Sequence, residues 1–277
     1  MTWHDWVEHE SWKRLLGSLL MSSTLAMVLF DVNPGFNASR DLEFDTFHEE
    51  ELWEAESANE WRELWTNMLK EQLNIGRRTF KKVFVDVMLQ GKYHPDVALY
   101  PVSAFSAIVL IYAVVVHMWQ RLQVSQAFGC DSFLSATGHD QLGRSLLDNA
   151  MNSLARWDAF LCGARGKSGE ADQENAPESS LVFNCQAILR IAYIRLFKPA
   201  IPSNHINLIS DDSAEMELSI SLFVTAEIDR IPQLLDAVSK SLEGLRIPVK
   251  LGHLLVRKTA AFRWSVEHAV AGWEAGA

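Results

Sequence analysis

Apolar residues recur along this chain with a helical period almost throughout. Behind Ser57-Ala-Asn-Glu60, which has the form of a capping box, Trp61, Leu64, Trp65, Met68 and Leu69 follow at i, i+3, i+4, i+7 and i+8. That spacing puts one apolar stripe on one helix face. Phe80, Val83, Phe84, Val87 and Met88 form a second stripe between Gly76 and Gly91, with Gly91 as its stop signal. Residues 142–161, 181–197, 214–226 and 251–273 read as further helices. No alternating strand with a hairpin turn stands between them, and no internal repeat is visible. The predicted fold is all-α, a multi-helix array or bundle.

Two stretches depart from the amphipathic pattern. Residues 97–119 carry no charge, and only Pro101, Ser103, Ser106 and His117 interrupt the apolar side chains. The length suffices for a bilayer. The flanks lack a basic asymmetry, since Arg121 follows while His94 and Asp96 precede. A long buried central helix, begun near Pro101, is therefore expected rather than a membrane span. A shorter uncharged run, residues 15–30, is diluted by Ser18, Ser22, Ser23 and Thr24. The other departure is "GARGKSGEADQENAPESS", residues 163–180, polar and without an apolar stripe. It is expected to be a flexible loop inside a single domain spanning residues 1–277.

Composition narrows the function classes. Of 277 residues, 48% are hydrophobic and 22% charged, so a sizeable core is expected and disorder is not. The formal net charge of −10 argues against a general nucleic-acid surface, which needs local positive charge. Cys130, Cys162 and Cys185 stand too far apart for a zinc module or a disulfide framework.

The candidate chemistry divides into four clusters. In "WHDWVEHESWKRL", residues 3–15, helical geometry pairs His4 with Glu8 and Asp5 with His9. A metal would need more ligands than such a pair supplies, and no HExxH accompanies them. The opposite arc holds Trp3, Trp6, Val7, Glu10 and Arg14, with an acid and a base one turn apart on an otherwise apolar side. The stretch is expected to be a structural helix with His4, Asp5, Glu8 and His9 on its wetter side. "GARGKSG" lacks the glycine a phosphate loop needs five residues before its Gly-Lys, where Leu161 stands. "GRRTFKK" collects Arg77, Arg78, Lys81 and Lys82 on one helix side, a pattern typical of a solvated face. "DDSAE" offers Asp211, Asp212 and Glu215 and resembles the aspartate-rich motif of all-α, magnesium-dependent isoprenoid enzymes. Its simpler reading is a helix start, with Asp212 as cap. No GxSxG elbow is present, and no catalytic, cofactor-binding or metal-ligating residue is assigned.

Four landmarks then occur in order: "WVEHESWKRL" (residues 6–15), "ELWEAESANEW" (51–61), "RIPVKLG" (246–252) and "AAFRWSVEHAV" (260–270). Together they resemble the fungal-specific transcription factor domain, the middle homology region of fungal zinc-finger and zinc-cluster regulators. The resemblance implies a non-enzymatic, all-α regulatory region in the nucleus. Its structural signature positions here are Trp6, Glu10, Arg14, Trp53, Trp61, Trp264, Glu267 and His268. It also implies a separate zinc-binding, DNA-contacting module, which no Cys/His arrangement in this chain supplies, so the domain is expected to be N-terminally incomplete. The implied partners are proteins of the transcription machinery, a second copy, or a small-molecule inducer; no membrane and no cofactor is implied.

Overall fold

The computed structural model describes residues 1–30, 32–38, 40–72, 79–88, 102–127, 141–165, 180–197, 212–225, 232–251 and 265–276. Among them the regular elements are α-helices: α1 (Trp3–Phe30), α2 (Glu50–Trp53), α3 (Ala58–Gln72), α4 (Phe80–Met88), α5 (Ala104–Ala127), α6 (Gln141–Arg165), α7 (Ser180–Arg195), α8 (Ser213–Thr225), α9 (Pro232–Leu251) and α10 (Val266–Gly276). The chain is all-α. A lone antiparallel bridge joins Asp45 to Thr79.

Helix α5 is the uncharged segment, and it forms the middle of the core. Every residue from Ala107 to Val116 is at most 3% exposed, so the helix is covered all round. It packs against α1, α4, α6 and α7, while α7 in turn packs against α6, α9 and α10. Each fully buried Val, Ile or Leu in such a helix contributes about 1.5–3 kcal/mol relative to exposure. The 18-residue apolar window of α5 is 72% buried inside the protein, which accounts for its hydropathy without a bilayer.

Local signals start several helices. The Ser57 hydroxyl accepts from the Glu60 amide at 3.3 Å, and the Glu60 carboxylate reaches back to the Glu56 amide at 3.0 Å. The second half of the capping box thus closes one residue early. Helix α4 opens against the preceding loop: the Phe80 and Lys81 amides donate to the carbonyls of Phe44 and Leu42 at 2.7 and 3.1 Å. Two amides that a helix start leaves orphaned are satisfied there by backbone. Arg156 and Ser153 of α6 donate to the Met88 carbonyl at the other end of α4, at 3.1 and 3.4 Å.

Where boundaries differ from the sequence reading, the cause is visible. Helix α6 continues through Arg165 and α7 opens at Ser180, so helix occupies both ends of the expected 163–180 loop; residues 166–179 lie outside the described ones. The single helix expected over 251–273 is replaced by the end of α9 and by α10, with 252–264 outside the described residues. Helix α9 escaped the apolar pattern because it exposes Leu235, Val238 and Leu242. Its start was nonetheless written in Pro232, which stands at the first helical position. Gly76, Gly91, Pro101, Arg77, Arg78, Lys167 and Ser168 also lie outside the described residues.

Candidate functional site

The opening stretch becomes the first half of α1, a 28-residue helix running on through the uncharged run. His4, Asp5, Glu8 and His9 are exposed, while Trp6 and Glu10 are buried, as the two faces predicted. Gly17 lies deeper along the same buried line. A Cβ there would meet Val109, Phe47 and Phe105 at 3.0–3.2 Å, so the glycine sets how closely α1 approaches α5 and the loop before α2.

Glu10 is fully buried, and both of its oxygens are engaged. Oε1 accepts the His48 amide at 3.0 Å and faces Arg14 Nε at 3.5 Å. Oε2 meets Lys13 Nζ at 2.6 Å and His48 Nδ1 at 2.9 Å. An ionised carboxylate only accepts, so His48 Nδ1 carries the proton of that hydrogen bond. Burial alone would raise the Glu10 pKa. The hydrogen bonds from His48 and Lys13, with their charges, outweigh it and hold the group at about 2.

The cations are also fixed on their far sides. Lys13 donates to the Thr46 carbonyl at 3.2 Å, and Arg14 donates to the His48 carbonyl at 3.1 Å. The Arg14 guanidinium lies 4.6 Å from the Trp53 ring centre and 4.9 Å from that of Phe105. Burial draws its pKa down, and Glu10 and Glu50 oppose that. Glu50 itself accepts the Phe105 amide at 3.0 Å, next to the start of α5. Two turns of α1, the 46–53 segment and the first turn of α5 are thereby joined through one charged layer.

Apolar clusters close both sides of this layer. On one side Trp6, Leu52, Ala55 and Trp61 are buried, with Trp3, Val7, Leu64, Trp65 and Met68 packed on them. Trp6 stands 5.5 Å from the His48 ring and 5.7 Å from Trp61, and Trp61 stacks on Trp65 at 5.2 Å. On the other side Phe47 packs edge-on against Phe105 at 4.8 Å, within the main core. The Phe47 amide donates to the Ser106 hydroxyl at 3.0 Å. A carboxylate that accepts from Lys13, the His48 ring and the His48 amide, faces Arg14 and is sealed by indoles holds chain segments in register.

The C-terminal signature residues meet α5 elsewhere. The Tyr112 phenol, in the middle of α5, donates to Glu267 of α10 at 3.1 Å. Burial, and then the Glu267 charge, push the Tyr112 pKa far up and keep the phenol protonated. His268 is buried beside it, and its Nδ1 lies 3.3 Å from the Ser265 hydroxyl. Burial and then Arg190 lower the His268 pKa to about 4. Trp264 lies outside the described residues. The signature positions therefore fall into two groups, Trp6, Glu10, Arg14, Trp53 and Trp61 around α1 and Glu267 with His268 on α10. Sequence reasoning placed Lys13 among the motif residues and missed His48, whose partner is 38 positions away.

The acidic trio gains no support as a metal site. Asp212 caps α8, its carboxylate accepting the Ala214 amide at 2.9 Å, and Glu215 occupies the first turn. Asp211 lies outside the described residues, and among those described no group of three or more His, Cys, Asp or Glu side chains converges as a metal site. Of the basic cluster, Lys81 forms an ion pair with Glu43, and Lys82 is exposed.

Comparison with known proteins adds one family. No curated protein and no solved structure matches the chain. Residues 202–276 match the model of the fungal transcription factor C-terminal domain, a span that takes in α8, α9 and α10 with Glu267 and His268. The chain is thus similar over its C-terminal part to the fungal transcription factor C-terminal domain, consistent with a fungal-specific transcription factor domain and supporting a role as a transcription regulator.

Proposed function

We propose that this chain is the regulatory module of a fungal transcription factor, acting in the nucleus on transcription by RNA polymerase II. The observation that carries this reading is the family match over residues 202–276. The charge distribution supports a module that does not itself grip DNA. The net charge is −10, and Lys13 and Arg14, the cations of α1, are turned into the protein. DNA contact and zinc binding belong to a module outside these residues. Within them, regulation runs through proteins of the transcription machinery, a second copy or a small-molecule inducer.

The test is a tethering assay in a fungal host. Residues 1–277 are fused to a heterologous DNA-binding domain upstream of a reporter, and the fusion is located by fluorescence. A reporter change in either direction, from a nuclear fusion, is the expected result. A reporter indistinguishable from that of the DNA-binding domain alone would overturn the proposal.

A further inference from the structure

Helix α1 buries only part of its circumference. On the face opposite Glu10, Trp12, Leu15, Leu16 and Leu19 are 62, 49, 41 and 49% exposed, and Phe30 is 54% exposed. With Ser23 and Ala26 these positions fall on one arc of the helix. The apolar window of α1 is 33% buried, against 72% for α5. The serines do not make the arc polar. Ser18, Ser22 and Ser23 turn their hydroxyls onto the carbonyls of Arg14, Ser18 and Leu20 at 2.9–3.0 Å.

We propose that this arc is the contact between two copies of the chain, α1 crossing α1 antiparallel about a two-fold axis at Leu19. The proposal deepens the self-association part of the proposed function and stands without any part of its DNA reading. Three observations favour a second copy. Between Trp12 and Ala26 the arc is large toward the N-terminus (Trp12, Leu15, Leu16) and small toward the C-terminus (Ser22, Ser23, Ala26), and Phe30 lies beyond this span. An antiparallel crossing at Leu19 seats Trp12 on Ala26, Leu15 on Ser23 and Leu16 on Ser22, so the surface complements itself. The four large side chains from Trp12 to Leu19 expose on the order of 450 Å² per copy, and with Ser22, Ser23 and Ala26 covered opposite them a symmetric pair removes about 1,000 Å² from water, the area a specific interface needs. The stretch from Leu15 to Phe30 carries no charge, so the repulsion between two chains of net charge −10 falls elsewhere and is screened by salt. A lipid surface fits less well, because membrane-lying helices flank their apolar face with exposed cations and those of α1 are turned inward.

Sedimentation of the full chain at micromolar concentration tests this. A species of twice 31.3 kDa is expected, strengthened by salt. Leu19→Glu places two carboxylates on the axis and should weaken the dimer by more than about tenfold, with helical content unchanged, because position 19 is exposed. Leu19→Cys should form an intermolecular disulfide under mild oxidation that the parent chain does not form. Trp12→Cys should not pair with its own copy, since the antiparallel crossing holds the two positions about 20 Å apart. A monomer in the parent chain, a dimer unmoved by Leu19→Glu, or self-linking of Trp12→Cys would each overturn the proposal. So would a monomer that binds neutral phosphatidylcholine vesicles through Leu19. A monomer that still regulates the reporter sinks this proposal alone, and a dimer without effect on the reporter sinks only the functional one.

Discussion

Glu10 and Glu267 are both buried carboxylates on helices, and the fold answers their burial differently. Glu10 is given Lys13, Arg14, the His48 ring and the His48 amide, a charged layer that ties α1 to the segment before α5. Among the described residues, Glu267 is given the Tyr112 phenol, a neutral donor from the centre of α5. The first arrangement joins three chain segments and is sealed by tryptophans. The second pins one short helix to the core. Removing one partner from a buried charge cluster strands the others, whereas removing a neutral donor costs a hydrogen bond.

The largest effect should therefore come from Glu10→Gln, which keeps the shape, strands Lys13 without its counter-charge and leaves Arg14 to Glu50. A loss of about 3–5 kcal/mol in urea unfolding is expected. A loss under about 1 kcal/mol would reduce the layer to a surface-like ion pair.

Acidification separates the two ends by pH. His117 and His268 have pKa values lowered to about 4, first by burial and then by Arg121 and Arg190, against an ordinary 6.5. The unfolded chain binds these protons first, so their contribution is intact above pH 6.5 and lost as pH falls toward 4. Glu10, at about 2 against an ordinary 4.5, contributes stability that is intact above 4.5 and lost as pH falls through 2. Each group is worth on the order of 3 kcal/mol. Melting temperature against pH should fall in both windows. His268→Gln should flatten the upper window, and Glu10→Gln the lower. An upper window unchanged by His268→Gln would place that histidine in water.

Tyr112→Phe should cost about 1.5–3 kcal/mol, by leaving Glu267 without this donor. Loss of structure should be confined to amides of α10 in hydrogen exchange; collapse of α1 instead would show that the two regions are not separable. The smallest effect belongs to Asp212→Ala, about 1 kcal/mol from the lost α8 cap, with no dependence on magnesium. A magnesium-dependent rise in melting temperature that this substitution abolishes would return the cluster to metal chemistry.

Much of the fold was legible because helices advertise themselves locally. The Ser57–Glu60 box, the Phe80–Phe84 stripe and the uncharged α5 all lie where the pattern put them. The burial of Glu10 on the Trp6 face of α1 was legible as well, since an acid on an apolar arc must find partners. His48 was not, because an interaction across 38 positions leaves no periodic trace and a histidine among Phe47, Glu49 and Glu50 reads as surface. Tyr112–Glu267, across 155 positions, was hidden for the same reason. Helix α9 was obscured by its exposed leucines, which blur the stripe that marks a buried face.

The claim that Glu10 is the centre of a structural clasp, and not a reactive group, is tested most directly by a double-mutant cycle in urea. The cycle uses Glu10→Gln, Lys13→Met and the pair. Coupling above about 1.5 kcal/mol is expected, with the double variant more stable than the single losses sum to. Additive losses, within about 0.5 kcal/mol, would contradict the account and leave a fully buried carboxylate in need of another purpose.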